Sequence, residues 1–422
     1  MKFKVKQSVL VNAIEKGGLA ALSETILADL GNVTLLTRSL KITIDKHLTI
    51  SSFSDILSTE YTIEVKKENG IVSEKEGSIL VPAKELLDWV KSQESDSAIE
   101  MELSLFDAIK NISGVKTSGD SENALLVKQI GTVKLLAKEK SGSGSKWELD
   151  AYDSAQVTKI DYPSAQSVKL FEISTEKLLV AIESTSFASM PTHHEHVMDS
   201  ISIQEYKGDM YFAATDTKRC SLYKGEDVTS SGANKPVLAP IKILTPACKI
   251  LPKDSKIDVH YDEAACKFYL IQNEVKIRMT CPEKTAISKF PNILLLLQKE
   301  YLSEIAVSKS ILNKRLSGAS VVNKYSALFN FEKDKKKLTI KAISEDGKYK
   351  PNVSETMLED VQVDARAIFG IKHMSDILKV IKAERVILKF PSNLKSLRIE
   401  GEGETNHIFF IMAIDNPKYK DA

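Results

Sequence analysis

Two apolar periods take turns along the chain. Alternation at Phe3 and Val5 gives way to three-and-four spacing at Leu10, Ala13 and Ile14, followed by Glu15. The same order returns at identical spacing as Phe171, Ile173, Leu178, Ala181, Ile182 and Glu183, and more weakly as Ile305, Val307, Leu312, Arg315 and Leu316. A period of two that passes into one of 3.6 predicts a short strand running into a helix. Ser174 and Ser308 fall at those junctions and are expected as N-caps.

A second signature also recurs. Ile79-Leu80-Val81-Pro82-Ala83-Lys84-Glu85-Leu86 matches Val237-Leu238-Ala239-Pro240-Ile241-Lys242-Ile243-Leu244. Proline at a helix start removes an N–H that would have no partner anyway. Pro246 is expected to disturb the later of these two helices. A third form without the proline reads Phe369-Gly370-Ile371-Lys372-His373-Met374, then Ile377, Leu378 and Ile381. Six helices are thus predicted, over 6–18, 83–92, 174–187, 241–253, 308–318 and 370–382.

Strand-type alternation fills the intervals at Leu40 to Thr49, Lys256 to Tyr261, Lys267 to Ile271, Lys337 to Lys341 and Arg385 to Phe390. Gly31-Asn32, Gly208-Asp209 and Asp346-Gly347 are turn signals, and Lys333 to Lys337 reads as a solvated turn. The pattern predicts an α+β chain of three repeated domains, each with two helices against antiparallel sheets. Their expected bounds are 1–166, 167–293 and 294–422, the last with a short C-terminal extension. Residues 104–145 break the pattern and read as an elaborated loop or extra hairpin, with the SGSGS stretch a flexible linker.

With 422 residues, two to four domains are expected, and 43% hydrophobic against 27% charged residues excludes global disorder. Lys plus Arg (58) nearly cancels Asp plus Glu (57), which excludes a basic tail. Charge interleaved through MKFKVKQ leaves no signal-peptide core, and Cys220, Cys248, Cys266 and Cys281 stand singly, so a cytoplasmic chain with reduced cysteines is expected. The six predicted helices hold fourteen basic and six acidic residues, a net +8 on one repeated element. Lysines on solvated helix faces would give this by themselves, but a surface facing phosphates needs it.

These residues resemble the bacterial sliding clamp, the β subunit of the replicative DNA polymerase. The clearest motif is Phe187 through Cys220, which ends in Ala214-Thr215-Asp216-Thr217-Lys218-Arg219 and is similar to the family's A-T-D-x-x-R turn. Leu-Gly-Asn at 30–32, Phe-Pro-Asn at 290–292 and Phe-Phe-Ile-Met-Ala-Ile at 409–414 match in order and place. The resemblance implies a homodimeric ring around duplex DNA that binds without reading sequence and uses no cofactor and no metal. The DNA-facing set would be Lys6, Lys16, Lys84, Lys91, Lys177, His193, His196, Lys242, Lys249, Lys309, Lys314, Arg315, Lys372, Lys379 and Lys382.

A pocket for short Leu- and Phe-bearing peptides of the polymerase, the clamp loader and other partners is implied as well. Its walls would be Met198, Thr215, Thr217, Lys218, Arg219, Cys220, Pro291, Leu295, Leu296, His373, Leu394, Ser396, Phe410, Met412, Ala413 and Ile414. The subunit interface would pair an edge strand bearing Trp147 and Leu149 with the region of Val321 and Val322. The sequence alone equally accommodates Trp147 as a core tryptophan. Departures from the family are Glu24 where relatives often carry a basic residue, another acid, Glu195, in the corresponding second-domain loop, Thr217 for a usual glycine, Lys218 for a usual histidine, and the tail from Asn416 to Ala422. That tail either covers the pocket or is disordered.

Competing chemistry is thin. His193, His194 and His196 have the wrong spacing for a helical zinc pair and no supporting Cys or Asp cluster, so a polar loop is expected. Asp216 lacks a second carboxylate or base nearby and reads as a turn anchor rather than a catalytic acid. Leu294 to Leu297 is either buried core or pocket wall, and no glycine-rich phosphate loop is present. A ring scaffold that binds peptides without loading on DNA, and a metal hydrolase built on the histidines, are the other readings.

Overall fold

The computed structural model describes residues 1–28, 33–113, 126–139, 142–157, 160–190, 197–230, 235–344, 350–359, 361–391 and 394–419, with backbone only at 109–113, 126 and 229–230. They form two compact units, Met1–Glu176 with Lys242–Cys281, and Lys177–Ile241 with Pro282–Ala422. One order of elements, strand, helix and three strands, recurs six times.

The first repeat runs β1 (Lys2–Lys6), α1 (Gln7–Gly17), short helices α2 (Leu19–Leu22) and α3 (Glu24–Ala28), β2 (Ser39–Ile44), β3 (His47–Phe53) and β4 (Leu57–Glu64). After an extra strand β5 (Ile71–Lys75) come β6 (Gly77–Pro82), α4 (Ala83–Lys91), β7 (Ala98–Ser113), β8 (Leu126–Lys138) and β9 (Gly144–Tyr152). The third repeat is β10 (Val168–Ser174), α5 (Thr175–Ser186), β11 (Ser200–Tyr206), β12 (Asp209–Thr215) and β13 (Arg219–Lys224), followed by a short β14 (Thr229–Ser230). The fourth is β15 (Val237–Pro240), α6 (Ile241–Lys249), β16 (Lys256–Asp262), β17 (Lys267–Ile271) and β18 (Val275–Thr280), followed by a short α7 (Lys284–Ile287). The fifth is β19 (Ser303–Ser308), α8 (Lys309–Val322), β20 (Ser326–Glu332), β21 (Lys337–Ala342) and β22 (Asn352–Met357). The sixth is β23 (Ala365–Gly370), α9 (Ile371–Val380), β24 (Arg385–Phe390), β25 (Ser396–Gly401) and β26 (His407–Met412).

All the ladders are antiparallel. Within the first unit the strands follow the order β5-β1-β7-β8-β9-β6-β2-β3-β4-β18-β17-β16-β10. The second unit holds β15-β11-β12-β13-β26-β25-β24-β19 and a separate sheet, β22-β21-β20-β23. Two of these contacts join distant repeats by the same rule. The last strand of the first repeat, β4, pairs with the last strand of the fourth, β18, from Leu57↔Met279 to Tyr61↔Val275. The last strand of the third, β13, pairs with the last strand of the sixth, β26, from Arg219↔Ile411 to Tyr223↔His407.

Apolar burial explains each helix. α1 buries Leu10, Ala13 and Ile14 while Glu15 stays outside. At its end Gly17 is obligatory, since a Cβ there would lie 2.2 Å from the Ile50 carbonyl oxygen. Gln7 Nε2 donates to the Val90 carbonyl at 2.9 Å, tying α1 to the end of α4. In the second unit Phe329, Phe331, Phe369, Phe390 and Phe409 are fully buried, and Phe331 and Phe390 meet at 4.5 Å between centroids.

Several local expectations change. Ser308 stands at the N-cap of α8 without a side-chain cap bond; its hydroxyl instead meets that of Ser310 at 3.1 Å. Pro246 sits inside α6, which continues past it and ends at Lys249. Of the SGSGS stretch, Gly142 (φ 84) and Ser143 lie between β8 and β9, with Ser143 O accepting from Glu139 N at 3.0 Å, and Ser141 lies outside the described residues. The turn signalled at Gly208-Asp209 is a tight hairpin whose two turn residues are Lys207 and Gly208, both at positive φ, with Asp209 already paired to Tyr206. Gly31-Asn32 and Asp346-Gly347 lie outside the described residues.

The C-terminal extension neither covers the predicted pocket nor hangs free as far as Tyr419. The Tyr419 ring is buried, its hydroxyl donates to the Ser326 carbonyl at 2.9 Å and accepts from Ile343 N at 3.2 Å, and Arg366 Nη2 donates to its carbonyl at 3.2 Å. Tyr419→Ala is expected to lower the stability of the second unit by about 3 kcal/mol, and Tyr419→Phe by about 1 kcal/mol. Urea titration of both variants checks this; equal midpoints for all three proteins would show the anchor to be idle.

Candidate functional site

The turn at 215–219 is built by its own side chains. Asp216 Oδ1 accepts from the backbone N–H groups of Lys218 (2.9 Å) and Arg219 (2.8 Å), and Thr215 Oγ1 donates to the Arg219 carbonyl at 2.6 Å and accepts from Thr217 N at 3.0 Å. Asp216 is therefore a turn anchor. Thr217 takes φ 71, the left-handed region where a β-branched side chain is strained. The glycine-like backbone survives the departure from the family pattern.

Arg219 organises what lies behind the turn. Its side chain is nearly buried; Nε bonds Asp216 at 3.1 Å, Nη1 bonds Asp376 on α9 at 2.8 Å, and Nη2 bonds the Phe187 carbonyl at 2.8 Å. The guanidinium also lies 5.2 Å from the centre of the Phe187 ring. Burial works to raise the Asp376 carboxyl, but hydrogen bonds from Arg219 and Lys379 outweigh it and hold it below its usual range. Burial pushes the neighbouring His373 imidazole down, opposed by Asp216, 3.7 Å away. Strand β26 continues the wall: Met412 N donates to the Lys218 carbonyl at 2.8 Å and Ile414 N to the Ile368 carbonyl at 2.8 Å.

The sixteen expected pocket residues all belong to the second unit, but they divide between the two faces of one sheet. Cys220, Leu296 and Phe410 join Ala213, Leu222, Ile293 and Leu294 in one apolar cluster, rimmed by Tyr206, Tyr211, Phe290 and Tyr301. Leu394 and Ala413 belong to the opposite cluster, with Phe187, Phe409 and Ile411. Phe410, Leu394, Ser396, Thr215, Cys220 and Met198 are buried and can only form a floor. Burial also pushes the Cys220 thiol far up, so it is no nucleophile. Thr217, Lys218, Pro291, Leu296, His373, Met412, Ala413 and Ile414 keep accessible surface, and Leu295 is 54% exposed.

Ile293 to Gln298 coil as a 3-10 turn, which sends Ile293 and Leu294 inward and Leu295 outward. The run is thus part buried core and part exposed surface. Beside it a cavity of about 240 Å³ is lined by Tyr211, Ala213, Phe290, Pro291, Ile293 and Leu294 among others. Sequence reasoning missed Phe187 and Asp376 as partners of Arg219; only the third dimension brings together residues 32 and 157 positions apart.

The basic residues are less uniform than their counts suggest. Lys6 pairs with Asp96 at 2.7 Å, Lys91 with Glu15 at 2.7 Å, Lys84 with Glu24 at 3.9 Å and Lys379 with Asp376 at 3.2 Å. Lys177 pairs with Glu226 and Asp227, Lys16 lies over the Tyr61 ring, and Lys309 Nζ donates to the Ile381 carbonyl. Lys249, Lys314, Lys372 and Lys382 are exposed, and Lys242 and Arg315 are half-buried. His193 and His196 lie outside the described residues, as do His194 and Glu195. Among the described residues no group of three or more His, Cys, Asp and Glu side chains could hold a metal.

Trp147 stacks on Trp89 at 6.2 Å and 25°, and Leu149 is buried within the first unit. Val322 packs on the core of the second unit, whereas Val321 is 76% exposed. Nearby, Val353 and Met357 on β22 are 54% and 72% exposed. Among the described residues β22 pairs with β21 alone, and Gly144 to Asp150 of β9 pair with β8 alone.

Six strand–helix–three-strand repeats joined edge to edge define a clamp-type repeat fold. Residues 1–127 match the family model for the DNA polymerase III beta subunit, N-terminal domain. A beta sliding clamp from Synechococcus elongatus is 19% identical over 349 residues, 81% of this chain and 82% of that protein. Solved structures agree in fold. The DNA polymerase III subunit beta of Pseudomonas aeruginosa has a TM-score of 0.75 at 14% identity, covering 99% of this chain and 100% of its own. The polymerase beta subunit of Streptococcus pyogenes has a TM-score of 0.74 at 17% identity with the same coverage. The match at residues 1–127 and the shared fold over the whole chain place this molecule beside the beta sliding clamps it resembles.

The buried His407 gives the second unit a pH dependence. Burial pushes its imidazole down to about 4, with the Ser184 backbone opposing, while its Nε2 meets Ser221 Oγ at 2.8 Å. Folding therefore favours the neutral ring: stability is full above the ordinary value near 6.5 and is lost as pH falls toward 4. By pH 5 this group alone is expected to cost roughly 2 kcal/mol relative to pH 7.5. Urea midpoints at the two pH values should differ less for His407→Gln than for wild type; the same difference in both would assign the effect elsewhere.

Proposed function

We propose that the chain is a sliding clamp: a non-catalytic processivity subunit that encircles duplex DNA and tethers a replicative polymerase and other partners. The carrying observation is the pairing rule of the sheets. β4 meets β18 and β13 meets β26, so the last strands of the six repeats join in pairs; two, β22 and β9, are left over. An exposed sheet edge is a template for another chain. The two leftover edges belong to one series, which supports head-to-tail pairing of β22 of one copy with β9 of a second, closing a homodimeric ring. Taken in twos, the repeats give three domains, 1–166, 167–293 and 294–422.

Partner peptides fit the second unit, where exposed Leu295 and half-buried Met412 and Ile414 lie with a floor of Cys220, Leu294 and Phe410. Leucine and phenylalanine anchors would bury there with modest affinity, so that polymerase and clamp loader can exchange. Tethering raises the local concentration of a polymerase at the primer end and needs no chemistry from the clamp. Among the described residues no helix is long and apolar enough to cross a membrane. The cytoplasm is the proposed site of action. A peptide-binding ring that never loads on DNA is the weaker reading.

Two measurements test this. Met357→Asp with Val353→Asp places charge on the proposed seam. Light scattering should then give the 46.8 kDa protomer, where wild type gives twice that mass; an unchanged dimer would contradict the seam. Loaded by a bacterial clamp loader, the wild type should stay on closed circular duplex in salt and leave when the circle is cut. Release that ignores cutting would favour the scaffold reading.

A further inference from the structure

The helices share their charge unevenly. α1 and α4 hold three basic residues (Lys16, Lys84, Lys91) against three acidic ones (Glu15, Glu85, Asp88). α8 and α9 hold five basic residues (Lys309, Lys314, Arg315, Lys372, Lys379) against Asp376 alone. In the first pair two lysines already face carboxylates, Lys91 on Glu15 at 2.7 Å and Lys84 on Glu24 at 3.9 Å. In the second, α8 runs fourteen residues without an acid. Its exposed positions Ser310, Lys314 and Ser317 follow one helical stripe, and α9 exposes Lys372 and Lys379. On α9 Lys379 is itself paired with Asp376 at 3.2 Å, but among the described residues no carboxylate lies within ion-pair distance of Lys314, Arg315, Lys372 or Lys382.

We propose that each protomer grips the phosphates of duplex DNA through α8 and α9, while α1 and α4 form an electrostatically quiet wall. This rests on the reading of the chain as a DNA-encircling clamp. The physical reason is local. A phosphate approaching Lys91 or Lys84 meets the lysine and its carboxylate together, and beyond a few ångströms their fields cancel. A phosphate approaching Lys314 or Lys372 meets positive charge and the hydroxyls of Ser310 and Ser317, and no paired acid. Backbone contacts of this kind carry no sequence information, as sliding requires. Concentrating them on α8 and α9 leaves the stretch of wall formed by α1 and α4 free of sticking points.

The test measures binding of a fluorescent duplex by anisotropy across a salt series, for wild type and three double variants. Lys314→Ala with Lys372→Ala should weaken binding about tenfold at low salt and flatten log K against log salt by about 0.9 for each phosphate that is no longer neutralised. Lys84→Ala with Lys91→Ala should change affinity less than about twofold, because their fields are already offset. Glu15→Gln with Glu24→Gln should tighten binding severalfold. All six residues lie on the surface, and unchanged thermal unfolding confirms that the variants fold. Equal losses from the two lysine pairs, or a larger loss from Lys84 and Lys91, overturn the asymmetry while wild-type retention on closed circles still upholds the clamp. Failure of wild type to stay on closed circles overturns both.

Discussion

Every strand in this molecule has a hydrogen-bonding edge to satisfy, and four of the six repeats satisfy the outer edge of their last strand by one device. The last strand of one repeat finds a last strand from another: β4 finds β18 and β13 finds β26. An open edge of six or seven residues leaves several N–H and C=O groups for water or for another chain. β22 with its exposed Val353 and Met357, and the outer edge of β9, are the two ends of that series. Symmetry then favours the pairing of two copies, because one end complements the other and a closed ring leaves neither open. The proposed function as a topological tether would follow from closure and would need no tight contact with the cargo.

The proposed peptide site is stiffened by the same economy of elements. Arg219 joins the turn at Asp216, the end of the helical stretch at Phe187 and α9 at Asp376. Removing one member of such a partly buried network leaves charge without a partner, which costs more than a surface pair. Asp376 also takes Lys379 at 3.2 Å. The hub behind the peptide site is therefore one step from a helix proposed to face DNA, and both depend on the packing of α9 against the second unit's core.

Much of the fold was legible because it repeats. Two apolar periods in a fixed order marked all six helices, and their observed bounds fall within a few residues of the expected ones. Phe410 and Cys220 were placed at one site by motif, and they do share a cluster. Contacts between remote residues left no local trace. Nothing around Tyr419 announces that its ring is buried and its hydroxyl reaches Ser326 and Ile343. SGSGS has the composition of a flexible stretch, yet Gly144 and Ser145 are in register in β9 and Gly142 and Ser143 lie just before them. Counting lysines on helices could not show that Lys91 and Lys84 already face Glu15 and Glu24.

Amide hydrogen exchange on β22 and β9, followed by mass spectrometry over a dilution series, addresses ring closure at its source. Amides along the open edges of Asn352–Met357 and Gly144–Asp150 should exchange slowly at high protein concentration and speed up together as the protein is diluted, while those of β4 and β18 stay slow. Exchange at both edges that is fast at every concentration, or that slows at only one of them, would contradict the pairing on which the ring depends.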